Sequence, residues 1–436
     1  MKIGLINFNR KGICEGNVPP VPPIGLEYLT DDLREDKHEV TLLDLCFVDS
    51  DNRMDILGAF VNDKDIIGIT FRNLGVENYW MTDDDQFFVP NLKELIASVK
   101  KIKEIPVVVG GEAFSIYPKK ILSSVDADFG ISGPGETAFR LLVNNLGRYK
   151  KGTILKGPAN LNILHKRDLI DYDRYIVEGG APAIQLKNGC PFRCSFCVEA
   201  ENPLQIRVID PVIEELKILL SKNVKFLFVA DAEFNNSIQQ AISFCDRILE
   251  EKLEFEWTTY LNPVPMTEEL VRKLKLSGLR NPCISVNSGD DFMLDQFNSG
   301  FNLDDVRKMT EWFHKYDFDF TVDIILGGPN ETLESAKKTI KFMEEINPTV
   351  VGMNIGVRLY ASTGLGKRII NNELETDGKI YGNTDSNDNL FLPIFYISDI
   401  RIRDFLKEVC DSDPKYCLLG YNDFGGINYK VAKNEE

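Results

Sequence analysis

The chain has 436 residues, of which 43% are hydrophobic and 27% are charged. This length exceeds the roughly 250–300 residues at which one hydrophobic core stops growing, and the composition excludes a disordered or collagen-like protein. Because 50 Lys and Arg face 67 Asp and Glu, the net charge of -17 argues against nucleic acid and anionic membranes as partners. The apolar run at the amino terminus is too short for a signal peptide and no run approaches ~18 apolar residues, so we expect a cytoplasmic protein without a membrane span.

The first 150 residues alternate short apolar runs with amphipathic stretches. The runs 66–71 and 106–111 are typical of strands, and 25–36 and 92–102 are typical of helices. This alternation predicts an α/β domain over 1–150, with a doubly wound parallel sheet. Ligands of such a sheet bind at the carboxyl ends of its strands.

A second alternating series follows a polar, irregular stretch, 151–180, which is predicted to be a linker. The strand candidates are 183–186, 225–230, 253–261, 283–287, 318–326 and 350–357. Helix candidates separate them, and Asp304 and Asp305 fall in one first turn, where the helix dipole favours anions. Six β/α repeats predict a partial or complete parallel barrel over 181–366, with its chemistry at the carboxyl ends of the strands. Residues 367–436 lose this periodicity and predict a small appended segment with one helix near 398–410.

Three cysteines, Cys190, Cys194 and Cys197, share one short loop after the first predicted barrel strand. Thiolates are soft ligands that suit iron–sulfur clusters. Structural zinc is disfavoured, because three cysteines are too few and neither His165 nor a later cysteine has the usual finger spacing. Three protein ligands would leave one iron of a four-iron cluster open to a small molecule.

The six other cysteines have no such spacing. Cys14, Cys46, Cys245 and Cys283 lie in or beside apolar stretches and are expected to be buried, since free cysteine behaves as a small hydrophobe. Cys410 and Cys417 are too few for a second cluster without further ligands.

The cysteine spacing, three residues and then two, with Phe196 before the third cysteine, resembles that of the radical S-adenosylmethionine (SAM) superfamily. The resemblance implies a [4Fe-4S] cluster whose open iron binds the amino and carboxylate groups of SAM. It also implies that one-electron reduction splits SAM into methionine and a 5′-deoxyadenosyl radical. An external reductant of the flavodoxin or ferredoxin type would supply the electron.

The resemblance continues at the ends of later predicted strands. It implies that Glu233, with Asp231 as its rival, holds the SAM amino group. It implies further SAM contacts at Ser285, Asn287, Ser288, Asp323, Arg358 and Tyr360. Two positions depart from the family pattern, because Asn287 replaces a glutamate and Ala361 replaces a proline. For each residue the alternative is ordinary barrel lining.

The first 150 residues resemble the cobalamin-binding domain that is fused to many radical SAM enzymes. The implied cobalamin contacts are Gly110, Gly111, Gly133, Gly135 and Glu136. Glycine lets the backbone approach a flat macrocycle. The Asp-x-His-x-x-Gly sequence that places a histidine on cobalt is absent, so we expect no imidazole ligand. Arg72, with Asn73, is the candidate residue for the lower face of the cobalt. The alternative is that Arg72 forms a surface salt bridge.

Together these features imply a cobalamin-dependent radical SAM enzyme, a class B C-methyltransferase. It would methylate an unactivated carbon, or phosphorus, of a small molecule or peptide through methylcobalamin and a 5′-deoxyadenosyl radical. One alternative is a rearrangement or cyclisation without net methyl transfer. Others are a cobalamin or redox sensor without turnover and a vestigial corrin domain.

Overall fold

The computed structural model describes residues 1–8, 19–75, 87–384 and 387–422. They form two compact units, the first ending at Gly180 and the second beginning at Ala181. Cys14 lies outside the described residues, whereas Cys46, Cys245 and Cys283 are buried as predicted. No helix of the described segments is long and apolar enough to cross a membrane.

The first unit is built on a six-stranded parallel sheet, which confirms the predicted doubly wound α/β fold. Its strands are β1 (Lys2–Phe8), β2 (Glu39–Asp44), β3 (Ile66–Phe71), β4 (Val107–Gly110), β5 (Phe129–Ile131) and β6 (Thr153–Leu155), in the order β2-β1-β3-β4-β5-β6. Its helices are α1 (Ile24–Glu35), α2 (Arg53–Asn62), α3 (Val89–Ile102), α4 (Glu112–Ile116), α5 (Pro118–Ser124), α6 (Glu136–Asn144) and α7 (Tyr172–Val177). Fully buried Ile3, Leu5 and Leu142 belong to the core between the sheet and its helices.

The stretch predicted to be a linker packs within this unit, and we call residues 159–177 the strap. Its Arg167 is fully buried and donates from Nε to the Glu27 carboxylate of α1 at 2.5 Å. Tyr172 hydrogen-bonds the same carboxylate, and the Lys166 N–H donates to Asp31 at 3.0 Å. Because α1 carries buried carboxylates, the strap supplies the partners without which their burial would cost free energy.

The second unit is built on a seven-stranded open parallel sheet. Its strands are β7 (Ala183–Ile184), β10 (Phe226–Val229), β11 (Glu256–Leu261), β12 (Cys283–Asn287), β13 (Thr321–Leu326), β14 (Val350–Ile355) and β18 (Tyr416–Leu418), in the order β18-β14-β13-β12-β11-β10-β7. A hairpin pairs β8 (Lys187–Cys190) with β9 (Asn202–Ile206), and a small antiparallel sheet contains β15 (Val357–Arg358), β16 (Ile380–Gly382) and β17 (Ile394–Tyr396).

Eight helices of this unit lie among the described residues. They are α8 (Ile209–Ser221), α9 (Ile238–Glu250), α10 (Glu268–Leu276), α11 (Asp291–Gln296), α12 (Leu303–Lys315), α13 (Leu333–Ile346), α14 (Gly364–Ile370) and α15 (Arg401–Ser412). The start of α12 shows why this helix is predictable from the sequence: Asn302 accepts from the N–H groups of Asp304 and Asp305, and the Asp305 carboxylate accepts the Asn302 N–H. This capping box satisfies donors that a helix start would otherwise leave open.

Three elements of this unit differ from the expectation. The sixth strand ends at Ile355 and not at Val357, because Gly356, with a φ of 81°, turns the chain into the small antiparallel sheet. The cysteines lie on an added hairpin, at the end of β8 and in the loop before β9, and do not directly follow the first parallel strand, β7. The appended segment also contributes β18, a seventh parallel strand that pairs with β14.

Candidate cluster and cofactor site

The three cysteines lie on the loop that joins β8 to β9. Cys190 is the last residue of β8, and Cys194 and Cys197 follow it. Gly189 has a φ of 83°, and a Cβ there would come within 2.3 Å of the carbonyl oxygen of Pro203. A glycine is therefore required for the two strands to approach closely where Cys190 is presented.

Residues from distant parts of the chain hold the cysteine loop. The Ser195 N–H donates to the carbonyl oxygen of Phe297 at 2.8 Å, and the Leu365 N–H donates to that of Ser195 at 2.7 Å. The Ser195 hydroxyl donates to the carbonyl oxygen of Gln296 at 3.2 Å. The Phe196 ring meets the Phe297 ring edge-on, with centroids 5.4 Å apart, so its aromatic ring helps to fix the loop.

Burial changes the acidity of all three cysteines. It raises the pKa of the Cys194 thiol to about 12 and that of Cys197 to about 11, and it also raises the pKa of Cys190. The neighbouring thiols add to the rise in the pKa of Cys194 and of Cys197. Because the thiolate is the form that binds metal, a bound cation must supply the free energy that ionises them.

The donor chemistry fits an iron–sulfur cluster, because the loop offers three thiols and a structural zinc ion takes four protein donors. Within the described ranges, no three His, Cys, Asp or Glu side chains are gathered so that they could hold one metal ion. A structural zinc ion needs four donors at about 2.0–2.3 Å from one centre. In a [4Fe-4S] cluster each cysteine binds a different iron, so three thiols in one loop need not converge on one point.

The two rival carboxylates after β10 have different surroundings. Asp231 is buried and accepts from the N–H of Leu186 at 2.8 Å and from the Lys187 Nζ at 2.7 Å. Glu233 is half-buried, and its charge raises the pKa of each of the three cysteines. Asp231 is thus held in an internal ion pair, whereas the charge of Glu233 acts on the three cysteine thiols.

The residues predicted at the end of β12 separate into two groups. Ser285 and Asp323 lie level with each other on β12 and β13, and both are half-buried. Asn287, with a φ of 66°, donates to the Ser299 hydroxyl at 3.2 Å. Ser288 shares a hydrogen bond of 3.1 Å with Thr339 of α13, so Asn287 and Ser288 stabilise the strand end, whereas Ser285 and Asp323 come together.

Arg358 and Tyr360 lie outside the parallel sheet, contrary to the expectation that they end a barrel strand. Arg358 belongs to β15, and its guanidinium carbon is 4.7 Å from the centre of the Tyr360 ring. Its Nη1 donates to the carbonyl oxygens of Leu359 and Ile394, at 2.9 and 3.2 Å. These contacts place Arg358 as a link within the small antiparallel sheet.

Glycines gather at the carboxyl edge of the first unit's sheet. Because β3, β4 and β5 are neighbours, the segments that follow them, 72–73, 110–111 and 133–136, lie side by side. At Gly111 a Cβ would come within 2.7 Å of the carbonyl oxygen of Phe71, whereas at Gly133 no atom lies within 4 Å of such a Cβ. The edge therefore has open space beside Gly133, as a macrocycle on a flat backbone surface requires.

The rest of this edge has mixed roles. Arg72 is exposed directly after β3. Gly135 lies close to the Leu29 side chain, since a Cβ at this glycine would come within 2.9 Å of it. Glu136 is buried in the first turn of α6. These two residues therefore fit α6 against the unit, whereas Gly133 borders open space.

All three histidines of the chain are described, and each is engaged outside these edge segments. His38 hydrogen-bonds Asn144 at 2.9 Å, and His314 bonds the carbonyl oxygen of Ile346 at 2.9 Å. His165 is buried and stacks on Tyr28, with ring centroids 3.9 Å apart.

Sequence reasoning missed residues that support the site from behind. Lys187 is buried and neutralises Asp231. In the sequence, the only indication of this role is a lysine directly after an apolar strand. Gln296, Phe297 and Leu365 support the cysteine loop through backbone groups, which any residue type offers. No local sequence pattern could therefore have identified Gln296, Phe297 and Leu365 as supports of the loop.

Two family models match the chain. That of the Radical SAM superfamily matches residues 184–343, and that of the B12 binding domain matches residues 17–143. The chain belongs to the cobalamin-dependent radical SAM superfamily. The cofactors of this radical SAM enzyme are a [4Fe-4S] cluster, SAM and cobalamin.

Relatives of this radical SAM enzyme cover both units. Tryptophan 2-C-methyltransferase of Streptomyces laurentii is 24% identical in a match that covers 80% of this chain and 72% of that protein. An uncharacterized methyltransferase of Pyrococcus horikoshii is 26% identical in a match that covers 81% of this chain and 79% of that protein. The solved structure of TsrM, a radical S-adenosylmethionine methyltransferase from Kitasatospora setae with tryptophan and a SAM analogue bound, has a TM-score of 0.87 at 21% identity and covers 98% of this chain and 94% of its own. This likeness shows the same fold.

Proposed function

We propose that this radical SAM enzyme is a C-methyltransferase, which moves a methyl group by way of cobalamin to an unactivated carbon, or to phosphorus, of a small molecule or peptide. The observation that carries the proposal is the likeness to tryptophan 2-C-methyltransferase along 80% of the chain. It spans both cofactor domains and not the radical SAM domain alone.

Cys190, Cys194 and Cys197 are the proposed ligands of three irons. This leaves the fourth iron for the amino and carboxylate groups of SAM. Glu233 is the proposed acceptor for the SAM amino group, because Asp231 is held by Lys187. When bound, the cluster supplies an electron for SAM cleavage and the corrin carries the methyl group.

Ser285 and Asp323 are the proposed nucleoside contacts, since they are the two predicted residues that lie level on neighbouring strands. In the first unit, the proposed corrin surface is the edge formed by Gly110, Gly111 and Gly133. Arg72 is proposed to face the lower side of cobalt in place of an imidazole.

An external one-electron donor of the flavodoxin or ferredoxin type is the proposed partner, because the reaction consumes electrons that the chain does not generate. The cytoplasm is the proposed place of action, where such donors work and free cysteines stay reduced.

The test is turnover by anaerobically reconstituted enzyme with cobalamin, a reductant and SAM labelled in its methyl group. Tryptophan is the first candidate, followed by other small metabolites and peptides. We expect labelled product with S-adenosylhomocysteine in equal amount, and 5′-deoxyadenosine in step with both if hydrogen abstraction is used. Deoxyadenosine without S-adenosylhomocysteine would instead support rearrangement or cyclisation, and purified protein that holds zinc and no iron would refute the proposal.

A matched pair of variants controls for the cluster. Cys194→Ala should lose most of the roughly four irons per chain that a complete cluster contains. Cys245→Ala, at a fully buried cysteine of α9, should keep them. Equal iron loss in both variants would contradict the ligand assignment.

A further inference from the structure

The carboxyl group of Glu331 is buried inside the turn that follows β13. Its Oε2 accepts from the backbone N–H groups of Gly327 at 2.5 Å and Gly328 at 3.0 Å. Only 2% of the residue is exposed. One side chain thus satisfies two backbone donors of a turn that has left the sheet, where buried donors without partners are costly.

Contacts from other segments hold the same turn. The Gly356 N–H donates to the carbonyl oxygen of Leu326 at 2.7 Å, and the Ser398 N–H donates to that of Gly327 at 2.9 Å. The Ser398 hydroxyl donates to the carbonyl oxygen of Glu331 at 2.7 Å. The turn therefore joins the ends of β13 and β14 to the appended segment.

The turn also reaches the support of the cysteine loop. A Cβ at Gly328 would come within 2.4 Å of the Phe297 ring, so the two residues are in close contact. Phe297 in turn accepts the Ser195 N–H and contacts the Phe196 ring. A shift of Gly328 would consequently displace the residue on which the cysteine loop rests, because packed cores leave little free volume.

We propose that Glu331 is a positioning residue for the radical SAM unit: its carboxyl group shapes the Gly327–Gly328 turn, and this turn aligns the end of β13 with SAM and, through Phe297, steadies the cysteine loop. The inference rests on the proposed function, because it takes Asp323 and the end of β13 to lie beside SAM.

The environment of Glu331 favours the neutral acid. Burial raises its pKa to about 8, Asp290 adds to the rise, and the N–H groups of Gly328 and Gly327 oppose it. Its Oε1 is buried without a hydrogen-bond partner. The remaining charged groups nearby are compensated or exposed: Asp290 lies 3.5 Å from Lys338, Asp399 pairs with Arg401, and Glu334 is exposed on α13.

The first test measures thermal unfolding of the holoenzyme from about pH 5 to pH 8. In the unfolded chain a glutamate ionises near its usual value of 4.5, whereas Glu331 stays protonated up to about 8 when folded. The folded state then binds more protons, so wild-type stability falls as pH rises through this interval. The Glu331→Gln variant lacks this loss, so its melting temperature should rise relative to wild type toward pH 8. Glu334→Gln, three residues away and exposed, is the control, and its melting temperature should change with pH as that of wild type does. If the melting temperature of Glu331→Gln also changed with pH in parallel with wild type, Glu331 would not be a neutral acid in the folded protein.

The second test measures positioning through SAM affinity and the electron paramagnetic resonance spectrum of the reduced cluster. Glu331→Gln, an uncharged mimic of the acid, should bind SAM within about twofold of wild type, and Glu331→Ala should bind it about tenfold more weakly with an altered spectrum. An Ala variant with unchanged affinity and spectrum would overturn the role.

A further variant covers the case in which Glu331→Ala does not fold. Glu331→Asp then takes its place, because the shorter side chain reaches the two N–H groups less well. We expect this variant to bind SAM more weakly than wild type. Unchanged SAM affinity and an unchanged spectrum would again overturn the positioning role. A wild-type enzyme that binds no SAM would refute the proposed function, while the melting curves would still decide the protonation of Glu331.

Discussion

Asp231 and Glu233 show how two carboxylates that are separated by a single residue come to differ. The Asp231 side chain is enclosed by Lys187 and two backbone N–H groups. Glu233 is half-buried, and its charge raises the pKa of the three cysteine thiols. The sequence pattern identifies both residues as candidates, but only the three-dimensional surroundings show that Asp231 is held in a buried ion pair.

At this scale we predict opposite phenotypes for the two amides. Asp231→Asn should lower the free energy of unfolding by about 3–5 kcal/mol, because it leaves the Lys187 ammonium buried without a counter-charge. Glu233→Gln should change it by less than about 1 kcal/mol but weaken SAM binding. Urea unfolding and titration with SAM measure the two effects, and normal SAM affinity in Glu233→Gln would contradict the assignment.

Among the elements, the carboxyl edge of the first sheet offers a matched pair of glycines. Gly133 and Gly152 have φ values of 82° and 86°, and neither has an atom within 4 Å of an added Cβ. Gly133 follows β5, whereas Gly152 precedes β6. The two positions therefore share a left-handed backbone conformation and free space for a side chain, but they lie at opposite ends of neighbouring strands.

Gly133→Leu and Gly152→Leu should each lose about 1–2 kcal/mol of stability from the left-handed backbone. Only Gly133→Leu should lose cobalamin, because its side chain fills the proposed corrin surface. Corrin absorbance after reconstitution and desalting measures retention. Full retention by the Gly133 variant would place the corrin elsewhere.

The strap gives a prediction about stability alone. Arg167→Leu should cost about 3–5 kcal/mol, because Glu27 keeps a buried charge without its partner. The exposed Arg174→Leu should cost less than about 1 kcal/mol. Adding Glu27→Leu to Arg167→Leu should recover part of the loss, and a double variant less stable than Arg167→Leu would contradict this account.

The sequence predicts the elements whose signals are local. Strands such as β13 and helices such as α12 combine apolar periodicity with caps, and the cysteine loop has fixed spacing. The strap and β18 are not predicted, since the strap is polar and β18 has only three residues. Their stability comes from partners on α1 and β14, and nothing within the segments indicates those partners.

For the molecule as a whole, the net charge of -17 bears on its electron donor. The negative charge of this protein would repel an acidic flavodoxin at long range, and salt shortens the range of that repulsion. We therefore predict that cluster reduction by flavodoxin accelerates when ionic strength rises from about 0.02 to 0.2 M. Stopped-flow absorbance measures the rate, with a neutral mediator as control; a rate that falls with salt would reveal a basic docking patch.

The supports of the cysteine loop also constrain the order of events during biosynthesis. Ser195 bonds to Gln296, 101 residues later, and to Leu365 beyond it. Contacts this distant in sequence form late, after the intervening chain has closed into a loop. We therefore expect the cysteine loop to lack its final supports until residue 365 has been synthesised, and iron–sulfur insertion before that point to give an incorrectly shaped centre.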